Sequence, residues 1–220
     1  MKIRIGIVAS VVCVMMVMGA WQVSLVPRAM AGPEVAAVAV SVTLPMGDEA
    51  KYVGSKKCKM CHNAEYKSWE ELAHATALET LMPGKKAEAK TKHGLDPAKD
   101  YTNDETCLAC HTTGYGKEGG YFLAEAGDAK AAKKAAKLAG VGCEACHGAG
   151  GSYVDLHKEI LKSKRKYKLD EMLSAGLIKP TAETCTGCHN DKSPTFESFD
   201  FEAMKDKGVH EHSELKQLEG

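Results

Sequence analysis

Aromatic side chains are scarce in this chain: 6% of its 220 residues are Phe, Trp or Tyr, while 26% are charged. Such a composition excludes a thick aromatic core, so the interior of a domain this size needs help from something other than side chains. Net charge is missing too. Its 29 Lys and Arg balance 29 Asp and Glu, which leaves no overall electrostatic footprint for nucleic acid. The lysine-rich stretches KSKRKYK and KAAKKAAKLAG read as solvated faces or, if functional, as a basic rim beside anionic groups. Past residue 31 there is no apolar run of membrane-spanning length, so no integral membrane segment is expected there.

The first 31 residues are different in kind. Lys2 and Arg4 precede the apolar run IGIVASVVCVMMVMGAWQVSLV, and Ala29 and Ala31 form a small-residue A-x-A site, the layout of a secretory signal cleaved after Ala31. An uncleaved anchor is the alternative, because the run approaches the roughly 20 residues that span a bilayer. Cys13 leaves with the signal. Taking Lys2, Arg4 and Arg28 from the 29 basic residues leaves 26 against 29 acidic, a mature charge of minus three. Export points to the periplasm or the cell exterior. Three regions follow: the signal over 1–31, an extended arm over 32–51, and one domain over 52–220. In the arm, Val38, Val40, Val42 and Leu44 alternate with small or polar residues, the period of a half-buried strand.

No mature cysteine stands outside one pattern. The eight that remain form CKMCH (Cys58, Cys61, His62), CLACH (Cys107, Cys110, His111), CEACH (Cys143, Cys146, His147) and CTGCH (Cys185, Cys188, His189). Cys-x-x-Cys-His is the attachment signal of haem c: two thiols become thioethers on the haem vinyl groups and the adjacent histidine ligates iron. Zinc sites, a thioredoxin-like pair or an export disulfide framework would also use paired cysteines. None of them requires histidine after the second cysteine every time. Four haem c groups are therefore expected. The intervals of 49, 36 and 42 residues between motifs are too unequal for a solenoid. The expected fold is mainly α with long loops, a polypeptide wrapped around its haems, and the chain without haem should be largely unfolded.

Helical composition is expected over Asn63 to Leu81, stopped by Pro83 and Gly84, in a short helix carrying the second motif, over Asp128 to Leu138, in one or two helices between Tyr153 and Ile178, and from about Phe199 to Leu218. Of nine histidines, four belong to motifs, leaving His74, His93, His157, His210 and His212 as distal candidates. His74 lies 12 residues past His62, about 18 Å along a continuous helix, so it must serve a different haem. His157 follows the Gly148 to Gly151 bend and is free to reach another iron than that of His147. One of His210 and His212 is expected to ligate; His93 is left open between ligand and surface side chain. The methionines Met46, Met60, Met82, Met172 and Met204 read as packing, so bis-histidine ligation is the default, with lower potentials than a histidine and methionine pair gives.

The stretches KKCKMCHNAEYKSWEELAHATALETLMP, LDPAKDYTNDETCLACHTTGYGKEGGY and GVGCEACHGAG and the late VHEH resemble the cytochrome c-554 family, tetrahaem electron carriers of ammonia-oxidising bacteria. The resemblance covers most of Lys56 to His212 and is weakest from Gly151 to Pro180. It implies a mainly helical fold with haems in closely packed pairs. It also implies that His157 ligates the haem on His62, His74 the haem on His147 and His210 the haem on His189, with the haem on His111 five-coordinate. His93 and the long Val-rich arm depart from that family, and either His93 or His212 is a candidate to close the iron on His111. A second similarity is to small tetrahaem cytochromes of metal-reducing bacteria that polymerise into extracellular filaments.

The expected function is electron transfer without bond chemistry, with other redox proteins as donor and acceptor. The alternatives are reduction of a small nitrogen oxide such as nitric oxide at an open haem on His111, near Asp104, Glu105 and Tyr115, and self-assembly into a filament.

Overall fold

The computed structural model describes residues 51–212. The expected signal, nearly all of the arm and the end of the last expected helix, Cys13 and Met46 included, lie outside the described residues. Within 51–212 the elements are α1 (Ser55–Cys58), α2 (Asn63–Glu70), α3 (Ala87–Lys92), α4 (Glu105–His111), α5 (Ala129–Ala135), α6 (Cys143–His147), α7 (Gly151–Ser163), α8 (Leu169–Ser174), α9 (Ala182–Thr186) and α10 (Phe201–Met204), with 3₁₀ turns at Ala77–Leu81 and Ala136–Leu138. No strand occurs among the described residues. A single antiparallel bridge joins Thr112 to Ala139. The chain is mainly helical with long loops. No helix among the described residues is long and apolar enough to cross a membrane.

Local sequence accounts for where these helices begin. Asp104, Asp128 and Asp200 cap α4, α5 and α10, each accepting a backbone N–H from the first turn; short acidic side chains satisfy donors that have no partner inside the helix. The longest helix, α7, buries Tyr153 and Ile160 two turns apart against Met172 of α8.

Asn63 to Leu81 departs from the single helix expected. The α-helix stops at Glu70, and a 3₁₀ turn begins only at Ala77. The cause is a loop preceding the third motif. Val141 donates its N–H to the His74 carbonyl at 2.9 Å, and the Trp69 indole N–H donates to the Val141 carbonyl at 2.9 Å. Gly140 has φ +75°, and a Cβ there would lie 2.4 Å from the Ala75 carbonyl oxygen. The backbone around His74 is thus drawn out of helix to bond this loop. Gly140→Ala combines a left-handed backbone with that clash, and is expected to destabilise the folded protein by about 2 kcal/mol or more, measured as a lowered denaturation midpoint of the haem-loaded protein.

The C-terminal expectation also differs. Among the described residues the last helix ends at Met204, because Gly208 and Glu211 spend their backbone groups on other parts of the chain: the Gly208 carbonyl accepts from His74 Nδ1 at 2.9 Å, and Glu211 N–H donates to Ser68 Oγ at 2.8 Å.

Buried apolar side chains gather in two small clusters, Leu81, Tyr101 and Leu108 around the second motif, and Tyr153, Ile160 and Met172 between α7 and α8. The four Cys-x-x-Cys-His motifs are spread through and between them.

Candidate haem-binding sites

Each motif is one helical turn. In the first and fourth, which run out of α1 and α9, the histidine N–H bonds the carbonyl of the first cysteine, His62 to Cys58 at 2.8 Å and His189 to Cys185 at 2.9 Å. In the second and third the five residues lie inside α4 and α6. Positions i, i+3 and i+4 of a helix share one face, so this spacing aims both thiols and the imidazole to the same side.

The motifs are held side by side by groups that belong to no motif pattern. Glu144, between the cysteines of the third motif, is 2% exposed. Its carboxylate accepts N–H bonds from Val53 (2.9 Å), Gly54 (2.7 Å) and Gly150 (2.6 Å). Cys143 N–H donates to Ser55 Oγ at 3.1 Å. First and third motifs are thereby clamped together, and the Cys58 thiol hydrogen-bonds Cys143, which holds Cys143 down to about 6 and pushes Cys58 up. Thr113, buried just past the second motif, donates its hydroxyl to the Gly140 carbonyl and accepts from Gly142 N–H, fixing the second motif to the entry of the third. Cys188 is pushed up to about 12 by burial and by neighbouring cysteines, Cys110 foremost, to which it also hydrogen-bonds. Burial raises Cys146, with Cys185 the next contributor. The motifs therefore neighbour one another in the order first, third, fourth, second.

Three histidine pairs face each other. Ring centroids are 6.0 Å apart for His62 and His157, 6.0 Å for His74 and His189, and 6.1 Å for His147 and His210. Two metal–imidazole bonds of about 2 Å in line, with half a ring on each side, span about 6 Å. Every pair joins one motif histidine to one outside the motifs. Backbone carbonyls take the Nδ1 of His74 (Gly208), His147 (Ile178), His210 (Glu211) and His111 (Ala77, at 2.7 Å), which fixes ring orientation and leaves Nε2 for a metal. Burial, the largest cause in each case, lowers His147, His157 and His189 and favours the neutral ligating form. Among the described residues no three His, Cys, Asp or Glu side chains converge as a zinc site requires, and the eight thiols are unbridged. The donor set fits haem c: two thiols and one imidazole per turn, with a second imidazole opposite in three cases.

These pairs differ from the resemblance in one respect. His157 stands opposite His62 as it implied, but His74 faces His189 and His210 faces His147, the reverse of the implied partners. The drawn-out backbone at His74 and the Gly208 carbonyl on its ring hold His74 in this position. His111 forms no ring pair among the described residues; its Nδ1 also lies 3.2 Å from Thr80 Oγ1. His93 caps α3 with Nε2 at 3.5 Å from Glu197, and His212 lies edge-on to His210 at 5.0 Å. Met172 packs as expected, whereas Met60, Met82 and Met204 are exposed. Sequence reasoning passed over Glu144 and Thr113, since neither falls in a spacing pattern and their partners are up to 91 residues away.

Residues 57–148 match the family model described as cytochrome c554 and c-prime. The chain is 36% identical over 193 residues to cytochrome c-554 of Nitrosomonas europaea, covering 76% of this chain and 78% of the relative. The solved structure of reduced cytochrome c554 from Nitrosomonas europaea superposes with a TM-score of 0.67 at 35% identity, over 78% of this chain and 90% of that one. With its motifs, helical fold and these similarities, the chain belongs to the cytochrome c554 family and is a c554-like multihaem electron carrier.

Proposed function

We propose that the exported chain, matured after Ala31, holds four haem c groups through the eight motif cysteines and passes electrons between redox proteins in the periplasm or outside the cell. When bound, each haem supplies a reversible one-electron iron couple. The chain's own part is to tether and orient: His62 and His157, His189 and His74, and His147 and His210 would each offer two imidazoles to one haem iron, and His111 would offer one. The observation that carries this is the recurrence of one 6 Å ring spacing in three separate pairs. The neighbour order of the motifs supports a continuous path from the first through the third and fourth to the second.

Mass spectrometry of protein exported from a host with haem-attachment machinery tests the reading. The expected mass is that of the mature chain plus four haems, with no free thiol; free thiols or cystine without haem mass contradict it. Because the two apolar clusters are small, the same chain without haem is expected to lose most of its helical circular dichroism.

A second reading concerns His111, which lacks an opposing ring among the described residues. An iron held there by one imidazole has room for a small nitrogen oxide such as nitric oxide. Of the acids near it in sequence, Asp104 is occupied as the α4 cap, while Tyr115 is raised by burial and then by Glu105. Titrating the ferric protein with nitric oxide is expected to shift one high-spin haem and leave the remainder unchanged; no response from any haem rejects the reading. The filament alternative relies on the arm over 32–51 and on a histidine offered to a neighbour, while His93 and His212 each have a partner within the chain.

A further inference from the structure

Glu144 and Lys90 are the charged side chains buried among the described residues. Glu144 clamps the first and third motifs, whereas Lys90, 5% exposed, belongs neither to that clamp nor to the ring pairs. It is the buried residue of α3, a place that an apolar side chain ordinarily fills. Inward partners account for the three donors of its ammonium: Nζ lies 2.7 Å from the Met82 carbonyl, 3.4 Å from the Leu81 carbonyl and 5.4 Å from the centre of the Tyr101 ring. No carboxylate pairs with it among the described residues. Asp100 feels its charge, but that exposed carboxyl is held down first by its bonds to Thr102 and only last by Lys90, and water screens it.

The partners of Lys90 surround the second motif. Leu81 and Tyr101 pack with Leu108 of α4, and Cys107 packs against the same cluster. Leu81 also ends the 3₁₀ turn that begins at Ala77, and the Ala77 carbonyl accepts from His111 Nδ1 at 2.7 Å. Four residues at a rise of about 2 Å each therefore put the ammonium within about 15 Å of the His111 ring.

We propose that Lys90 is a potential-setting residue: its buried positive charge, held against the Ala77–Leu81 turn and Tyr101 without a carboxylate partner, raises the reduction potential of the haem on Cys107 and Cys110. The proposal rests on the four-haem reading above, and it holds whether the iron at His111 is open or closed. One electron entering that haem removes one positive charge from iron, so a fixed cation nearby favours the ferrous form. Burial gives the charge its reach. At about 15 Å and an effective dielectric of about 20, a unit charge moves such an equilibrium about fivefold. No other lysine and no arginine is buried among the described residues, so the effect falls on the second haem.

The experiment is a redox titration of holoprotein whose four haems have been verified by mass, so that failure of the haem reading is known beforehand. Paramagnetic NMR assigns the second haem by its contacts to Cys107 and Cys110. Lys90→Met and Lys90→Gln are each expected to lower the ferrous-to-ferric ratio of that haem about fivefold at a fixed potential, a fall of about 40 mV at about 59 mV per tenfold for one electron. The other haems should change less than about twofold. Lys90→Gln keeps a donor for the carbonyls without the charge, so it separates the charge from the hold on the turn, and it remains readable if Lys90→Met misfolds. Lys99→Gln removes an exposed cation 4.6 Å from the same Tyr101 ring, and screening by water should keep its effect below about twofold. An unchanged second haem in Lys90→Gln, equal falls at all four haems, or as large a fall in Lys99→Gln would overturn the proposal.

Discussion

His74→Ala is expected to convert one low-spin haem to high-spin, and the altered haem is the one tethered by Cys185 and Cys188. His210→Ala is expected to do the same to the haem tethered by Cys143 and Cys146. Each variant removes one imidazole from a facing pair, 6.0 Å for His74 and His189 and 6.1 Å for His147 and His210, and an iron that loses one of two strong-field ligands changes spin state completely. Paramagnetic NMR identifies the altered haem by its through-space contacts to its own cysteines. If His74→Ala instead changed the haem at Cys143 and Cys146, the facing pairs would not be the ligand pairs. On the proposed ligation His74, close in sequence to the first motif, would serve the fourth, and the variant would also lose its ring's bond to the Gly208 carbonyl.

Glu144→Ala is expected to produce the largest loss of stability of any substitution that leaves the motif cysteines and histidines in place. Its carboxylate is the acceptor for the backbone N–H groups of Val53, Gly54 and Gly150, and truncation strands these donors in a largely buried place. At about 1–3 kcal/mol for each buried donor left unsatisfied, partly offset by relaxation and water entry, the expected cost is about 3 kcal/mol or more. Glu144→Gln should cost nearly as much, because its NH₂ group points a donor at donors. Denaturant unfolding of the haem-loaded protein, followed by circular dichroism, reads the effect. A change below about 0.5 kcal/mol, the scale of an ordinary surface substitution, would remove Glu144 from its clamping role. Because Val53 and Gly54 lead into the first motif and Gly150 leaves the third, the same variant should disturb the first and third haems before the second and fourth.

Much of this was legible in the residues, for a physical reason. Covalent attachment writes itself into spacing: Cys58, Cys61 and His62 must share one helical face, and the same five-residue pattern recurs at Cys107, Cys143 and Cys185. The helical character of α4, α5 and α7 follows from local composition and from aspartate caps at Asp104 and Asp128. What was hidden is long-range. The break of the helix after Glu70 depends on Val141 and Gly140 bonding and packing against His74 and Ala75, more than 60 residues away in sequence. The end of α10 depends on His74 and Ser68 drawing Gly208 and Glu211 into hydrogen bonds. Ligand pairing is of the same kind. Counting histidines supplies candidates, but which one faces which motif is decided by these crossing contacts. His93 illustrates the point: its type suits a ligand, and its position places it beside Glu197.

Electron paramagnetic resonance of the fully oxidised holoprotein, with spins quantified per chain, tests the account most directly. Three low-spin ferric haems and one high-spin haem are predicted, the latter at His111. Four low-spin haems would mean that a ligand closes His111, and two or more high-spin haems would mean that the facing imidazole pairs do not hold iron; either result contradicts the ligation drawn from the ring spacings.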